Sequence, residues 1–163
     1  MTALEATLII AATIGTGLIG GLFFAFSNFV LHALDRLPAA QAIMAMQRIN
    51  ATVLNPLFLG IFFGTAVIAV AAAALSLSSR GDAAVWLSVL GAALYVGGVV
   101  VVTMRYNVPL NNRLAAIATS HADPSDDWAA YARPWLQWNH VRTVASLIAC
   151  ASFACLTATG VVI

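Results

Sequence analysis

The sequence contains no lysine, and charged residues of all kinds make up only 8% of its 163 residues. An ordinary soluble domain carries about 25% charged residues, so a chain this poor in charge could not cover its surface with water-compatible groups. This scarcity excludes a soluble globular protein, and the 62% hydrophobic content excludes intrinsic disorder. A net charge of +1 without a basic cluster argues against a nucleic-acid partner. An integral membrane protein is the class that remains.

Four stretches contain no Asp, Glu, Arg or His, namely 6–31, 53–79, 83–104 and 143–163. Each is long enough to cross a hydrocarbon core of about 30 Å as a helix. Backbone groups in lipid must hydrogen-bond internally, which favours helices over open sheet. We therefore predict an all-α fold, a single integral membrane domain over 1–163. It would be a four-transmembrane-helix bundle with spans at about 6–31, 53–79, 83–104 and 141–163, and short interfacial helices in the first and third connections.

Arginine is distributed unevenly between the predicted connections. Only Arg80 lies in the second connection. The other six arginines lie in or beside the first and third connections: Arg36, Arg48, Arg105, Arg113, Arg133 and Arg142. Because cytoplasmic connections are enriched in basic residues, we expect a multi-pass protein of the cell membrane. Its long connections would be cytoplasmic and both of its termini outside.

Metal-binding and nucleophile motifs are also scarce. Cys150 and Cys155 lie within the last apolar stretch, where buried thiols are the ordinary interpretation. The sequence has no His-x-x-x-His or Cys-x-x-Cys spacing, no serine elbow and no phosphate-binding glycine loop. The sequence therefore contains no recognisable metal-binding motif. A haem or copper site that uses His32 and His140 stays open as an alternative.

Small residues recur at helical spacing in the first two spans. Gly17 and Gly21 form one GxxxG pair, and Gly60 and Gly64 form another. Such pairs let helix backbones approach closely in lipid. Packing within the bundle explains them most simply, and a homo-oligomer through either pair is the alternative.

Polar side chains are concentrated where the predicted spans meet the first and third connections. The group comprises Ser27, Asn28, His32, Gln47, Asn50, Asn55, Thr103, Asn107, Asn111, Asn139, His140, Arg142 and Thr143. All four predicted helices therefore bring polar groups to one membrane depth. Polar groups at such a depth are costly unless they pair or line a cavity, so the cluster predicts a site. Helix capping and interhelical hydrogen bonds are the alternative for any one asparagine.

Four segments in this cluster form a specific pattern. They are Phe-Phe-Ala-Phe-Ser-Asn-Phe-Val at 23–30, Asn-Ala-Thr-Val-Leu-Asn-Pro-Leu-Phe at 50–58, Thr-Met-Arg-Tyr-Asn-Val-Pro-Leu-Asn at 103–111 and Trp-Leu-Gln-Trp-Asn-His-Val-Arg-Thr at 135–143. Their order and spacing resemble the anthrone oxygenase family over about residues 8–160. The resemblance implies a small four-helix membrane protein. It also implies oxidation of an anthrone to an anthraquinone by dioxygen, with neither a flavin nor a dedicated metal.

The polar cluster could support that chemistry. An anthrone has an acidic methylene opposite its carbonyl, and the anion formed by its deprotonation can pass an electron directly to dioxygen. The reaction needs a base, for which His140 or His32 would serve, and we prefer His140 because it lies in the densest polar motif. It also needs donors to the developing oxyanion, for which we expect Arg142, Asn107 and Asn139.

An apolar aromatic substrate also needs a flat slot, which aromatic rings could form. The expected substrate-binding residues are Phe24, Asn28, Asn50, Asn55, Phe58, Thr103, Asn111, Trp135 and Trp138. The partners would be an apolar aromatic small molecule, dioxygen and membrane lipid. Two other classes stay open: a non-enzymatic small membrane protein that binds a lipid or quinone, and a bis-histidine haem or copper redox protein.

Overall fold

The computed structural model describes residues 2–79, 82–117 and 124–160, and these residues contain helices but no β-strand. We number the helices α1 to α5 in chain order. α1 consists of three consecutive segments, Ala3–Ala25, Phe26–Val30 and Leu31–Leu34. α2 is Ala39–Val53 and α3 is Pro56–Ser79. α4 consists of the segments Asp82–Ala93, Leu94–Val101, Thr103–Asn107 and Val108–Ala115, and α5 is Ser125–Gly160. The predicted all-α architecture is confirmed.

Four of these helices, α1, α3, α4 and α5, are long and apolar enough to cross a membrane. α1 packs against α3 and α5, and α4 packs against the same two helices. The four helices therefore form a ring in the order α1, α3, α4, α5. This arrangement is the predicted four-helix bundle of a multi-pass membrane protein. Arg80, on which the expected orientation partly rests, lies outside the described residues, so the orientation stays a prediction.

One helix of the bundle is longer than a membrane crossing requires. α5 has 36 residues, a length of about 54 Å at the usual helical rise, whereas a hydrocarbon core is about 30 Å thick. Its first turns pack with α2 and with the last turns of α4 around Ile43, Met46, Leu114, Trp128 and Tyr131. We call this end of the bundle the α2 end. The amphipathic helix α2 thus covers the bundle here and does not continue into α3, because the chain leaves helical geometry at Leu54.

Three segments have the wider π-helical hydrogen-bond pattern: Phe26–Val30 in α1, and Leu94–Val101 and Thr103–Asn107 in α4. Each changes the rotational position of the residues that follow it, and such segments are frequent at functional sites. Pro109 could have been expected to break α4. It instead lies in the first turn of Val108–Ala115, directly after a π-helical segment, where a missing backbone N–H is tolerated.

The glycine pairs occupy different surroundings. A Cβ atom on Gly17 would lie 3.3 Å from the Cys150 sulfur, so this glycine contributes to packing between α1 and α5. Within the described part of the chain, Gly21, Gly60 and Gly64 have no neighbouring atom within 4 Å of such a Cβ. Gly60 and Gly64 therefore form a pair on the outer surface of α3. A homo-oligomer through this pair stays a prediction.

Candidate functional site

A pocket of about 330 Å³ lies at the α2 end, and all five helices contribute to its walls. This volume is near the lower end of the roughly 300–1,000 Å³ that small-molecule sites occupy. The apolar part of the lining includes Leu22, Phe23, Phe26, Phe58, Phe62 and Trp135. The polar part comprises Gln47, Asn50, Thr103, Asn111, Asn112 and Arg142. The pocket thus combines a mostly apolar interior, part aliphatic and part aromatic, with a few polar groups.

Arg142 is the charged residue of the pocket lining, and only 4% of its surface is exposed. Its Nη2 donates to Asn139 Oδ1 at 2.7 Å, and its Nη1 donates to Thr103 Oγ1 at 3.3 Å. The guanidinium carbon lies 4.1 Å from the centre of the Phe23 ring and 5.1 Å from that of Trp135. Among the described residues its Nε is buried without a hydrogen-bond partner, and no carboxylate is among its contacts. A guanidinium keeps its charge in proteins, so the pocket contains a buried cation.

Asn139 holds this cation in place from behind the pocket wall. While its Oδ1 accepts from Arg142, its Nδ2 donates to Phe23 O at 2.8 Å and to Ser27 Oγ at 2.7 Å. Ser27 lies in the π-helical turn of α1, and its Oγ is also 2.9 Å from His140 Nδ1. Hydrogen bonds therefore connect the exposed His140 to the buried Arg142 through Ser27 and Asn139.

A second hydrogen-bond network joins the opposite wall of the pocket to α5. Asn111 Oδ1 accepts from Trp135 Nε1 at 2.8 Å and from Tyr131 Oη at 3.0 Å. Asn50 Nδ2 donates to the same Tyr131 oxygen at 3.4 Å. Gln47 Nε2 donates to two backbone carbonyls near the end of α4 and so fixes α2 against that helix. The polar edge of the pocket is thus held by side chains from three helices.

Asn107 is fully buried beside the site and does not line the pocket. Its Nδ2 donates to Trp135 O at 3.2 Å, and within the described chain its Oδ1 has no hydrogen-bond partner. Thr103 lies one turn earlier on the same helix and accepts from Arg142. Asn107 therefore supports the backbone that carries Trp135.

The structure brings six of the fourteen residues that we expected to be catalytic or substrate-binding into the pocket lining: Asn50, Phe58, Thr103, Asn111, Trp135 and Arg142. Two more, Asn107 and Asn139, are buried directly behind the wall. The separate stretches of polar sequence thus come together around one cavity.

The remaining six suggested residues lie elsewhere. Four of them, Phe24, Asn28, His32 and His140, are exposed on the outer surface of the bundle. Asn55 Oδ1 accepts from Phe58 N at 3.0 Å and so caps α3. Trp138 stacks on Tyr106, with ring centres 3.6 Å apart.

The direction of α1 explains why its suggested residues are outside. This helix presents Leu22, Phe23 and Phe26 to the pocket, so Phe24 and the residues one and two turns after it face away. The sequence of α1 is apolar on all sides, so it does not show which face of the helix packs against α5. The residues of α1 that face the pocket could therefore not be identified from its aromatic residues alone.

Several contributing residues were absent from the suggested set. Phe23 and Phe26 form part of the wall. Ser27, which the sequence placed in the polar cluster without a binding or catalytic role, joins His140 to Asn139. Tyr131 holds two asparagines, and its position one turn before Trp135 is a signal that helical spacing could have supplied.

The described residues contain no group of three or more His, Cys, Asp or Glu side chains arranged to hold a metal ion. His32 and His140, the pair suggested for haem or copper, are both exposed. The pocket itself offers amide, hydroxyl and guanidinium groups, which suit an oxygen-bearing organic ligand.

Comparison with known proteins gives one family match. A family model described as anthrone oxygenase matches residues 57–152, which is more than half of the chain. No curated protein and no solved structure matches. The matched stretch includes most of α3, all of α4 and the part of α5 that carries Trp135, Asn139 and Arg142.

Proposed function

Because the chain belongs to the anthrone oxygenase family, an oxygenase-like group of membrane proteins, we propose that it oxidises a planar phenolic substrate resembling an anthrone. In this reaction the substrate methylene loses a proton, and the resulting anion transfers an electron to dioxygen. Recombination of the substrate radical with superoxide then forms a carbon–oxygen bond and gives a peroxide anion, which takes up a proton. The O–O bond and the remaining C–H bond at that carbon then break. Loss of water leaves a quinone, so that one substrate and one dioxygen give one quinone and one water.

The observation that carries this proposal is the buried charge of Arg142 in a pocket whose walls are mainly apolar and include several aromatic rings. A buried cation without a carboxylate partner is costly, and a bound anion would offset that cost. The guanidinium would therefore stabilise the substrate anion more than the neutral substrate, which is what acceleration of the deprotonation requires. Its buried Nε has no hydrogen-bond partner within the described chain, which adds to the cost of this burial.

The other walls suit the rest of such a molecule. Phe58 and Trp135 can contact the faces of fused rings. Asn111 uses its Oδ1 for Tyr131 and Trp135, which leaves its Nδ2 to donate to a phenolic oxygen in the pocket. The pocket would thus bind a flat apolar body with oxygen atoms at its edge.

The expected histidine base needs a different role in this proposal. His140 and His32 are exposed and do not line the pocket, so direct contact with a bound substrate is not supported. We propose that the proton leaves to water at the polar edge near the exposed Asn112 and that the Arg142 cation makes this loss favourable. His140 would then position Arg142 through Ser27 and Asn139.

The test is quinone formation from emodin anthrone by purified protein in lipid nanodiscs. We expect a rate above the spontaneous one and a loss of about 100-fold in Arg142→Gln, because one preorganised electrostatic contact to the transition state is worth about that much. Arg142→Lys, which keeps the charge, should retain more activity than Arg142→Gln. Equal rates with and without wild-type protein would remove the oxygenase proposal for this substrate.

His140→Ala distinguishes a base from a positioning residue. We expect a decrease of less than about tenfold, because the charge of Arg142 remains in the pocket. A loss as large as that of Arg142→Gln would favour the histidine-base mechanism. Tight quinone or lipid binding without turnover would instead support the non-enzymatic binding protein.

We also propose that the reaction needs no cofactor. An absorbance spectrum and a metal analysis of the purified protein test this directly. A Soret band, or copper in stoichiometric amount, would replace this proposal with the bis-histidine redox protein.

A further inference from the structure

Different helices pack against the two ends of α4, one on each side of the pocket. α3 packs against the part of α4 that precedes Thr103, whereas α2 packs against Val108–Ala115. The pocket lies between these two contact regions, and α1 and α5 form its rear wall with Phe26 and Trp135. Because α3 and α4 are neighbours in the ring, a gap between them faces the surrounding lipid.

The residues around this gap are apolar, and each of them both lines the pocket and is exposed on the outer surface. Met104, Leu54 and Phe63 all line the pocket, and they are 54%, 65% and 44% exposed. A residue that lines a cavity while exposing half of its surface marks a mouth of that cavity. Large exposed apolar side chains at this position suit contact with acyl chains rather than water.

α4, which carries Met104, also contributes a residue at the opposite edge of the pocket. Asn112 lines the pocket and is exposed, but it is polar and lies eight residues after Met104. Both residues line the pocket, and Asn112 lies further along α4, beyond the π-helical segment Thr103–Asn107. Met104 therefore marks the membrane side of the opening and Asn112 its water side.

We propose that the organic ligand enters and leaves the pocket sideways from the bilayer, through a window between α3 and α4 bordered by Leu54, Phe63 and Met104. The identity of this ligand rests on the proposed function, whereas the window itself does not. An apolar substrate is more concentrated in the membrane than in water. A lateral route therefore lets it reach Arg142, Phe26 and Trp135 directly from the membrane.

The window can be tested without turnover by using a small apolar diazirine dissolved in the bilayer of proteoliposomes as a photolabel. After illumination, mass spectrometry measures labelling of the rear-wall residues Phe26 and Trp135. We expect both to be labelled in the wild type and labelling to fall about tenfold in Met104→Trp, because the larger ring narrows the mouth. Val101→Trp is the matched control, since Val101 is exposed on the same helix but does not line the pocket.

Asn112→Trp separates the two routes. Lateral entry predicts rear-wall labelling close to that of the wild type in this variant. The proposal is overturned if Asn112→Trp suppresses labelling while Met104→Trp does not, because entry then occurs from the water side. It is also overturned if the rear wall of the wild type is not labelled, as when a second copy of the chain covers the window. Rear-wall labelling without anthrone turnover would support the window and contradict the proposed function.

Discussion

At the scale of single residues, asparagines from one sequence cluster have different structural roles. Asn139 is buried and holds Arg142, while Asn55 caps α3 and Asn28 is exposed on the outer face of α1. An asparagine can donate and accept at once, which suits a cap as well as a buried link between two helices. The residue type therefore indicates that hydrogen bonds are needed and leaves open which groups make them.

Asn139→Asp tests whether the charge of Arg142 is available to a ligand. A carboxylate at this position still accepts from Arg142 but neutralises it, and the two bonds donated by Nδ2 to Phe23 O and Ser27 Oγ are lost. We expect the Kd of a hydroxylated anthraquinone, measured by fluorescence in nanodiscs, to rise by about tenfold or more. Asn28→Asp adds the same charge on the outer surface and should leave Kd within about twofold. Equal Kd values for the two variants would contradict an electrostatic role of Arg142.

At the scale of helices, close approach depends on individual glycines and not on the GxxxG pairs alone. A Cβ on Gly98 would lie 2.5 Å from Ala145 Cβ of α5, and a Cβ on Gly91 would lie 2.7 Å from Phe153 Cε2. Both glycines are on α4 and face α5. The position of Arg142 on α5 relative to Thr103 on α4 depends on this close packing.

Gly98→Ala and Gly97→Ala form a matched pair for this contact. The first places a methyl group against Ala145, whereas the second meets no atom of the described chain within 4 Å. We expect Gly98→Ala to lower the free energy of unfolding by about 1–3 kcal/mol through overpacking. Gly97→Ala should change it by less than about 1 kcal/mol. Unfolding in detergent, followed by circular dichroism, measures both, and equal stability of the two variants would disprove tight packing at Gly98.

At the scale of the whole molecule, the pocket lies at the end of the bundle that α2 covers. The arginines of the two long connections lie toward this end, which is the basis for placing it in the cytoplasm. The polar edge and the buried cation of the pocket would then be near the inner leaflet.

The orientation can be measured with single cysteines in a Cys150→Ser/Cys155→Ser background. Ala3→Cys should react with a membrane-impermeant maleimide in intact cells, because we expect the start of α1 outside. Arg36→Cys, in the connection between α1 and α2, should react only after the membrane is permeabilised. Labelling of Arg36→Cys in intact cells would show the opposite orientation, with the pocket near the outer leaflet.

The sequence by itself determined the number of membrane helices and the end of the bundle at which polar groups gather. Long charge-free stretches of this kind are stable in lipid as α-helices. Polar side chains near the ends of these helices must pair or line a cavity. Both features therefore follow from the distribution of residue types along the chain. Arg142, Thr103 and Asn111 could be assigned to the site on this basis.

Only the tertiary structure decided which side of each helix faces the pocket. Helices surrounded by lipid are apolar on all faces, so hydrophobic periodicity does not identify the inner one. Their rotation is set by close contacts such as Gly98 with Ala145 and by π-helical turns such as Phe26–Val30, which shift the following residues. For this reason His140 and Arg142, two positions apart in one motif, lie respectively on the outer surface and in the buried site.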